Sequence, residues 1–204
     1  MALITAAEAR AYIPTLTGTT DDTLLSTLIS RFDAAAAGYM GYPKQSSGAV
    51  TIESGTYVEY LDGPGGRELT VTAKPVTAVA SIYDDPDLDY TDAADLVASG
   101  DYTVYGVEGR VVLDYDAAYP AWSESRRAIK ITYGAGYGDA GAPLPVAIKH
   151  AACLQVAHWY GARAHIGKTN LSIGGQTAKL NTLELLPEVK KTLAPYGLAT
   201  SWVG

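Results

Sequence analysis

The chain has 204 residues, 48% of them apolar and 18% charged, enough apolar content for one domain of ordinary size, or one with a modest inserted subdomain, and too much for a disordered chain. One cysteine, Cys153, excludes an internal disulfide and a Cys-rich metal site, and no apolar run reaches the roughly 18 residues of a membrane span. Net charge is −7, opposite in sign to a general nucleic-acid binder, and it is uneven: residues 1–144 carry 9 basic and 20 acidic side chains, residues 145–204 carry 6 and 2.

Thr5-Ala6-Ala7-Glu8 is a capping box opening a short helix that ends before Pro14. Asp21 and Asp22 then sit at the positive end of a second helix. Its apolar stripe is Leu24, Leu25, Leu28, Ile29, Phe32, Ala35, Ala36 and Tyr39, closed by Gly38 and Gly41. From about Val50 to Tyr137 the period changes to two. Strands are expected at 56–61, 68–72, 76–83, 101–105, 110–115 and 128–133, mostly antiparallel, with a turn at Asp62–Gly66 and a hairpin turn at Gly106–Gly109. A long helix apolar over a wide arc follows Pro145. The segment His165 to Thr182 reads as a hairpin or a mobile loop. A last short helix runs from Pro187 to about Leu193.

This order predicts an α+β fold: a small helical bundle with an antiparallel β-subdomain inserted between its second and third helices. The expected division is 1–48, 49–142 and 143–204. Nothing at the N-terminus reads as a signal peptide, so the expectation is a soluble protein of a reducing cytoplasm.

Candidates for chemistry are weak. His150 and His158 are roughly 12 Å apart along one helix, too far to share a metal, and with His165 they read as structural or surface histidines. Gly136 to Gly141 matches G-x-G-x-x-G, but it follows an antiparallel pattern and prolines separate it from the helix, so it reads as a turn. Asp85, Asp87 and Asp89 match the first positions of a calcium loop. Tyr90 and Leu96 stand where that loop needs glycine and a bidentate acid, so the aspartates between Asp84 and Asp95 read as a solvated acidic loop. Cys153 reads as a small buried residue. No catalytic, cofactor or metal residue is assigned.

Several short stretches, in order, carry a resemblance: Leu3 to Ala9, Asp21 to Leu25, Tyr60-Leu61-Asp62-Gly63, Lys74 to Val79, Asp101 to Val104, Ile131 to Tyr137, Pro145 to Ala151, His158-Trp159-Tyr160 and Leu193 to Tyr196. In these the chain resembles the head–tail connector (adaptor) proteins of long-tailed double-stranded DNA phages and gene-transfer agents. The resemblance implies a structural adaptor of the virion neck, made in the bacterial host cytoplasm. It implies a ring, commonly of twelve copies, between the portal of a filled capsid and a tail-completion or tail-terminator protein. DNA would pass through the lumen without specific binding, and no membrane and no cofactor would be involved. Acidic residues facing a lumen suit that task, since every neutralised phosphate adds affinity. The partner-interface candidates are Lys190 and Lys191 in the net-positive C-terminal third, with Trp202 and Val203 in the tail. The competing reading is a small host enzyme or ligand-binding module without a recognisable motif, which predicts a pocket with converging polar groups.

Overall fold

A computed structural model describes residues 3–138, 141–163, 170–173, 176–179 and 184–198. The chain divides into two compact units. One is Gly41–Pro143 together with Leu198; the other joins Ala2–Met40 to Leu144–Gly197.

The helical unit is built from α1 (Ala6–Arg10), α2 (Asp22–Met40), α3 (Val146–Ala162) and α4 (Pro187–Leu193), with a 3-10 turn at Ala194–Tyr196. The Thr5 capping box is formed on both sides: the Glu8 amide donates to the Thr5 hydroxyl at 3.2 Å and the Thr5 amide to the Glu8 carboxylate at 2.8 Å. α2 runs through Gly38 and stops only at Gly41, whose φ of +81° is the left-handed closure that a side chain would resist. Its buried stripe is narrower than the sequence suggests. Leu25, Ile29, Phe32, Ala36, Ala37 and Met40 are buried, whereas Leu24 and Tyr39 are exposed. α3 buries residues around a wide arc, from Ile148 to Tyr160, and packs against α1, α2 and α4. Its fully buried Gln155 clamps the entry to α4: the carboxamide accepts from the Leu186 amide at 2.7 Å and donates to the Glu184 carbonyl at 3.3 Å. Between α3 and α4, β7 (Asn170–Ile173) and β8 (Gln176–Lys179) pair antiparallel, so the hairpin reading of that segment holds for these strands.

The β-rich unit holds two three-stranded antiparallel sheets. The first has the order β1 (Gly55–Leu61), β6 (Ile129–Ala135), β3 (Val76–Asp84); the second has β2 (Glu68–Thr70), β5 (Arg110–Leu113), β4 (Tyr102–Tyr105). β6 is central, paired with β1 on one side and β3 on the other, and its alternate residues Ile129, Ile131, Tyr133 and Ala135 are all buried. β4 and β5 form the expected hairpin. The turn at Asp62–Gly66 does not pair its flanking strands. Instead it brings the backbone against Ser123, where a side chain at Gly63 would lie 2.0 Å from the Ser123 carbonyl oxygen.

Candidate functional site

The acidic loop after β3 leaves Asp87, Asp89 and Asp92 exposed, as expected of a solvated loop, and the sequence reading needs correcting at Asp85. Asp85 is 2% exposed. Its Oδ1 accepts from the amides of Asp87 (2.7 Å) and Leu88 (3.1 Å), and its Oδ2 from those of Asp89 (2.8 Å) and Tyr90 (2.6 Å). The Asp-Pro start and the left-handed Leu88 and Tyr90 wrap the backbone around the carboxylate. These donors, the Tyr90 amide foremost, hold the Asp85 carboxyl below its ordinary range, while burial and then the neighbouring carboxylates push Asp95 up. A lowered acid stabilises the fold above its ordinary pKa and loses that contribution as pH falls below it. The calcium-loop geometry is spent on backbone amides. Among the described residues no group of three His, Cys, Asp or Glu is placed to hold a metal ion. Asp85→Ala is expected to release the amides of residues 87–90 to fast hydrogen exchange while the β6 amides stay protected, a pattern that amide exchange NMR resolves residue by residue.

The glycine-rich stretch after β6 is likewise a packing device. Gly136 has φ +109°, and a side chain there would meet the Glu53 carbonyl oxygen at 2.7 Å. The amides of Gly136, Gly138 and Gly141 are bonded to the carbonyls of Pro75, Ala142 and Gly138, so none is turned towards a phosphate.

In the helical unit a cavity of about 330 Å³ opens between α1 and α3, lined by Glu8, Tyr12, Val146, Lys149, His150 and Cys153, with Ala11. Its polar groups hold one another. Glu8 pairs with Lys149, and the Tyr12 hydroxyl meets His150 Nδ1 at 2.8 Å. The Lys149 contact, with the Thr5 amide, lowers the Glu8 carboxyl; Glu8 in turn raises Lys149, and burial raises the Cys153 thiol. The thiol is therefore kept protonated, and the ammonium is charged and engaged. A second polar cluster ties the start of α2 to its neighbours: Arg10 pairs with Asp22, and the Tyr160 hydroxyl donates to Asp21. The Arg163 guanidinium stacks 3.6 Å from the Tyr160 ring centroid.

Of the residues expected at a partner interface, Lys190 and Lys191 lie in the last turn of α4, favourably placed for its dipole. Lys191 is exposed; Lys190 is half-buried with its Nζ 3.6 Å from Glu184. Trp202 and Val203 lie outside the described residues, as does His165.

A surface feature that period-two reading does not reveal is the outward face of the first sheet. Tyr60 on β1 lies opposite Lys130 on β6, and Lys130 lies opposite Tyr83 on β3. Tyr90 joins this row from the acidic loop, its ring 5.2 Å from that of Tyr60 at 59° and its hydroxyl donating to the Arg127 carbonyl at 2.6 Å.

With this geometry in view, a family model described as "Head completion protein" matches residues 2–196. Three solved chains share the fold. One is from the virion of a native gene transfer agent particle (20% identity, TM-score 0.56, covering 98% of this chain and 92% of that one). One is from the neck of an empty particle computed with C6 symmetry (19%, 0.55, 98% and 92%). The third is from the neck of a native particle computed with C12 symmetry (19%, 0.50, 98% and 91%). No curated protein matches.

Proposed function

Because the chain belongs to the head completion protein family, we propose that it is a structural head–tail adaptor, one subunit of a ring seated between the portal of a DNA-filled capsid and the tail. Its place is the neck of the particle, the head–tail interface, and its work is the free energy of assembly. The observation that carries this reading is the family match over nearly the whole chain, 2–196. The shared fold with particle-neck chains, computed with C6 and C12 symmetry, supports the ring.

The finer reading concerns partners and orientation. The neighbours are the portal on one side and a tail-completion or tail-terminator protein on the other. Lys190, Lys191, Trp202 and Val203 face the portal. The unit Gly41–Pro143, with 7 basic and 16 acidic residues, is an insertion between α2 and α3 and presents its acids to the lumen. Such a surface supports passage of DNA, because few phosphates are neutralised and little affinity builds up. Co-sedimentation with purified portal rings is the deciding measurement. Wild-type chain is expected in the pellet fraction, and Trp202→Ala is expected to be depleted there at least tenfold while keeping the wild-type circular dichroism spectrum. A wild-type chain that stays in the supernatant overturns the adaptor reading; a Trp202→Ala variant that pellets normally overturns the tail's role.

A further inference from the structure

The outward face of the first sheet carries two cations, Lys130 and Arg127, that form no ion pair among the described residues. Lys130 Nζ lies 5.7 Å from the Tyr83 ring centroid and 5.4 Å from that of Tyr90; the Arg127 guanidinium lies 5.2 Å over Tyr60. Among the described residues neither cation pairs with a carboxylate. The platform is open: Tyr60 is 42% exposed and Val58, two residues back on the same face, 39%. It is a cationic exception on a unit in which acids outnumber bases 16 to 7. A different feature follows β5. Tyr115 is 97% exposed, and Asp116 beside it is exposed and without an ion pair among the described residues.

We propose, resting on the ring reading above, that the Tyr115–Asp116 loop of one copy docks on the Tyr60–Lys130 face of the next copy. Three arguments select this occupant. The face offers aromatic surface with unpaired cations, and the loop offers an aromatic ring with an unpaired carboxylate, so the two are complementary in both shape of chemistry and sign. Face-to-face pairing of two identical platforms would set Lys130 and Arg127 against their own copies, which like-charge repulsion disfavours. A contact between two different patches is heterologous, the type that closes into a cyclic ring. Tyrosine at the centre of such a contact excludes water, and a carboxylate–ammonium bond formed there is stronger than one in bulk solvent.

Charge reversal tests the pairing. Lys130→Glu alone and Asp116→Lys alone are each expected to cut ring formation on portal templates at least tenfold. The double variant is expected to restore it to within about threefold of wild type. Single variants that assemble normally, or a double variant no better than either single, overturn the contact. Should either single fail to fold, Val58→Cys with Tyr115→Cys gives an independent readout. A short bis-maleimide reagent is expected to join neighbouring copies in assembled particles into a ladder on denaturing gels, and neither variant with only one of these two added cysteines beside the buried Cys153 does so. Absence of the ladder overturns the proposal. A wild-type chain that does not co-sediment with portal rings removes the ring reading itself. If wild type and both singles all pellet and assemble, this contact alone fails.

Discussion

Phe32→Ala is expected to lower the stability of the helical unit by about 3–5 kcal/mol. Phe32 is the only phenylalanine of the chain and is fully buried, in the middle of the α2 stripe that runs from Leu25 to Met40. α2 packs against α1, α3 and α4, so the cavity left by the ring opens at the meeting point of the unit. Alanine is itself a good helix former, and the loss is therefore one of packing, not of helix propensity. The control is Leu24→Ala on the same helix. Leu24 is exposed, and its truncation is expected to change stability by about 0.5 kcal/mol or less. Urea unfolding followed at 222 nm reads both. Equal losses from the two variants would mean that α2 presents a different face to its neighbours.

Tyr133→Phe is expected to cost about 1–3 kcal/mol, far more than removal of an exposed hydroxyl. The Tyr133 ring is buried on β6 and stacks on Tyr57 with centroids 5.7 Å apart. Its hydroxyl donates to the Glu59 carboxylate and accepts from the Ala73 amide at 2.9 Å. Phenylalanine preserves the shape but leaves a buried amide without its acceptor. The same residue sets an alkaline limit. Burial, then the Glu59 carboxylate, pushes the Tyr133 phenol well above its ordinary value, and burial does the same to Tyr42. An acid whose folded pKa is raised contributes stability that is present below its unfolded pKa, about 10 for tyrosine, and lost as pH rises above it. Stability should therefore fall above about pH 10, more gently in Tyr133→Phe than in wild type. Unfolding midpoints measured from pH 8 to pH 12 decide this, and identical alkaline slopes in the two proteins would contradict it.

The helices were legible in the sequence because their signals are local. The Thr5–Glu8 capping box, the 3- and 4-residue spacing of α2 and the proline-led start of α3 each act within one or two turns of chain. The strands were legible for the same reason, as was the β4–β5 hairpin, whose partners are joined by a short turn. Strand neighbours were not. β6 pairs with β1 and β3, strands lying roughly 50 to 75 residues earlier, and period two identifies the faces of a strand but not who lies beside it. β1 hides its outward role for a related reason: Tyr57 points to the core while Val58 and Tyr60 point away, so both faces carry apolar residues. Asp85 escaped because charge counting treats every aspartate of an acidic run as solvated, whereas burial here depends on four backbone amides that fold back on it. Gln155 is the parallel case in the helical unit: a polar residue on an apolar helix is identified as a clamp only once the entry of α4 is placed beside it.

The helical unit is assembled from the two ends of the chain, with Gly41–Pro143 between them. On the ribosome this imposes an order of events. α1 and α2 emerge first, yet their apolar faces have no α3 to meet until about 100 further residues have been translated, roughly 5–20 s at ordinary synthesis rates. The intervening stretch needs nothing from either end to pair its six strands, and it can fold while the leading helices wait. Once the residues up to Pro143 have cleared the ribosome, with α3 still inside it, the nascent chain would thus carry a paired middle and an exposed amphipathic helix.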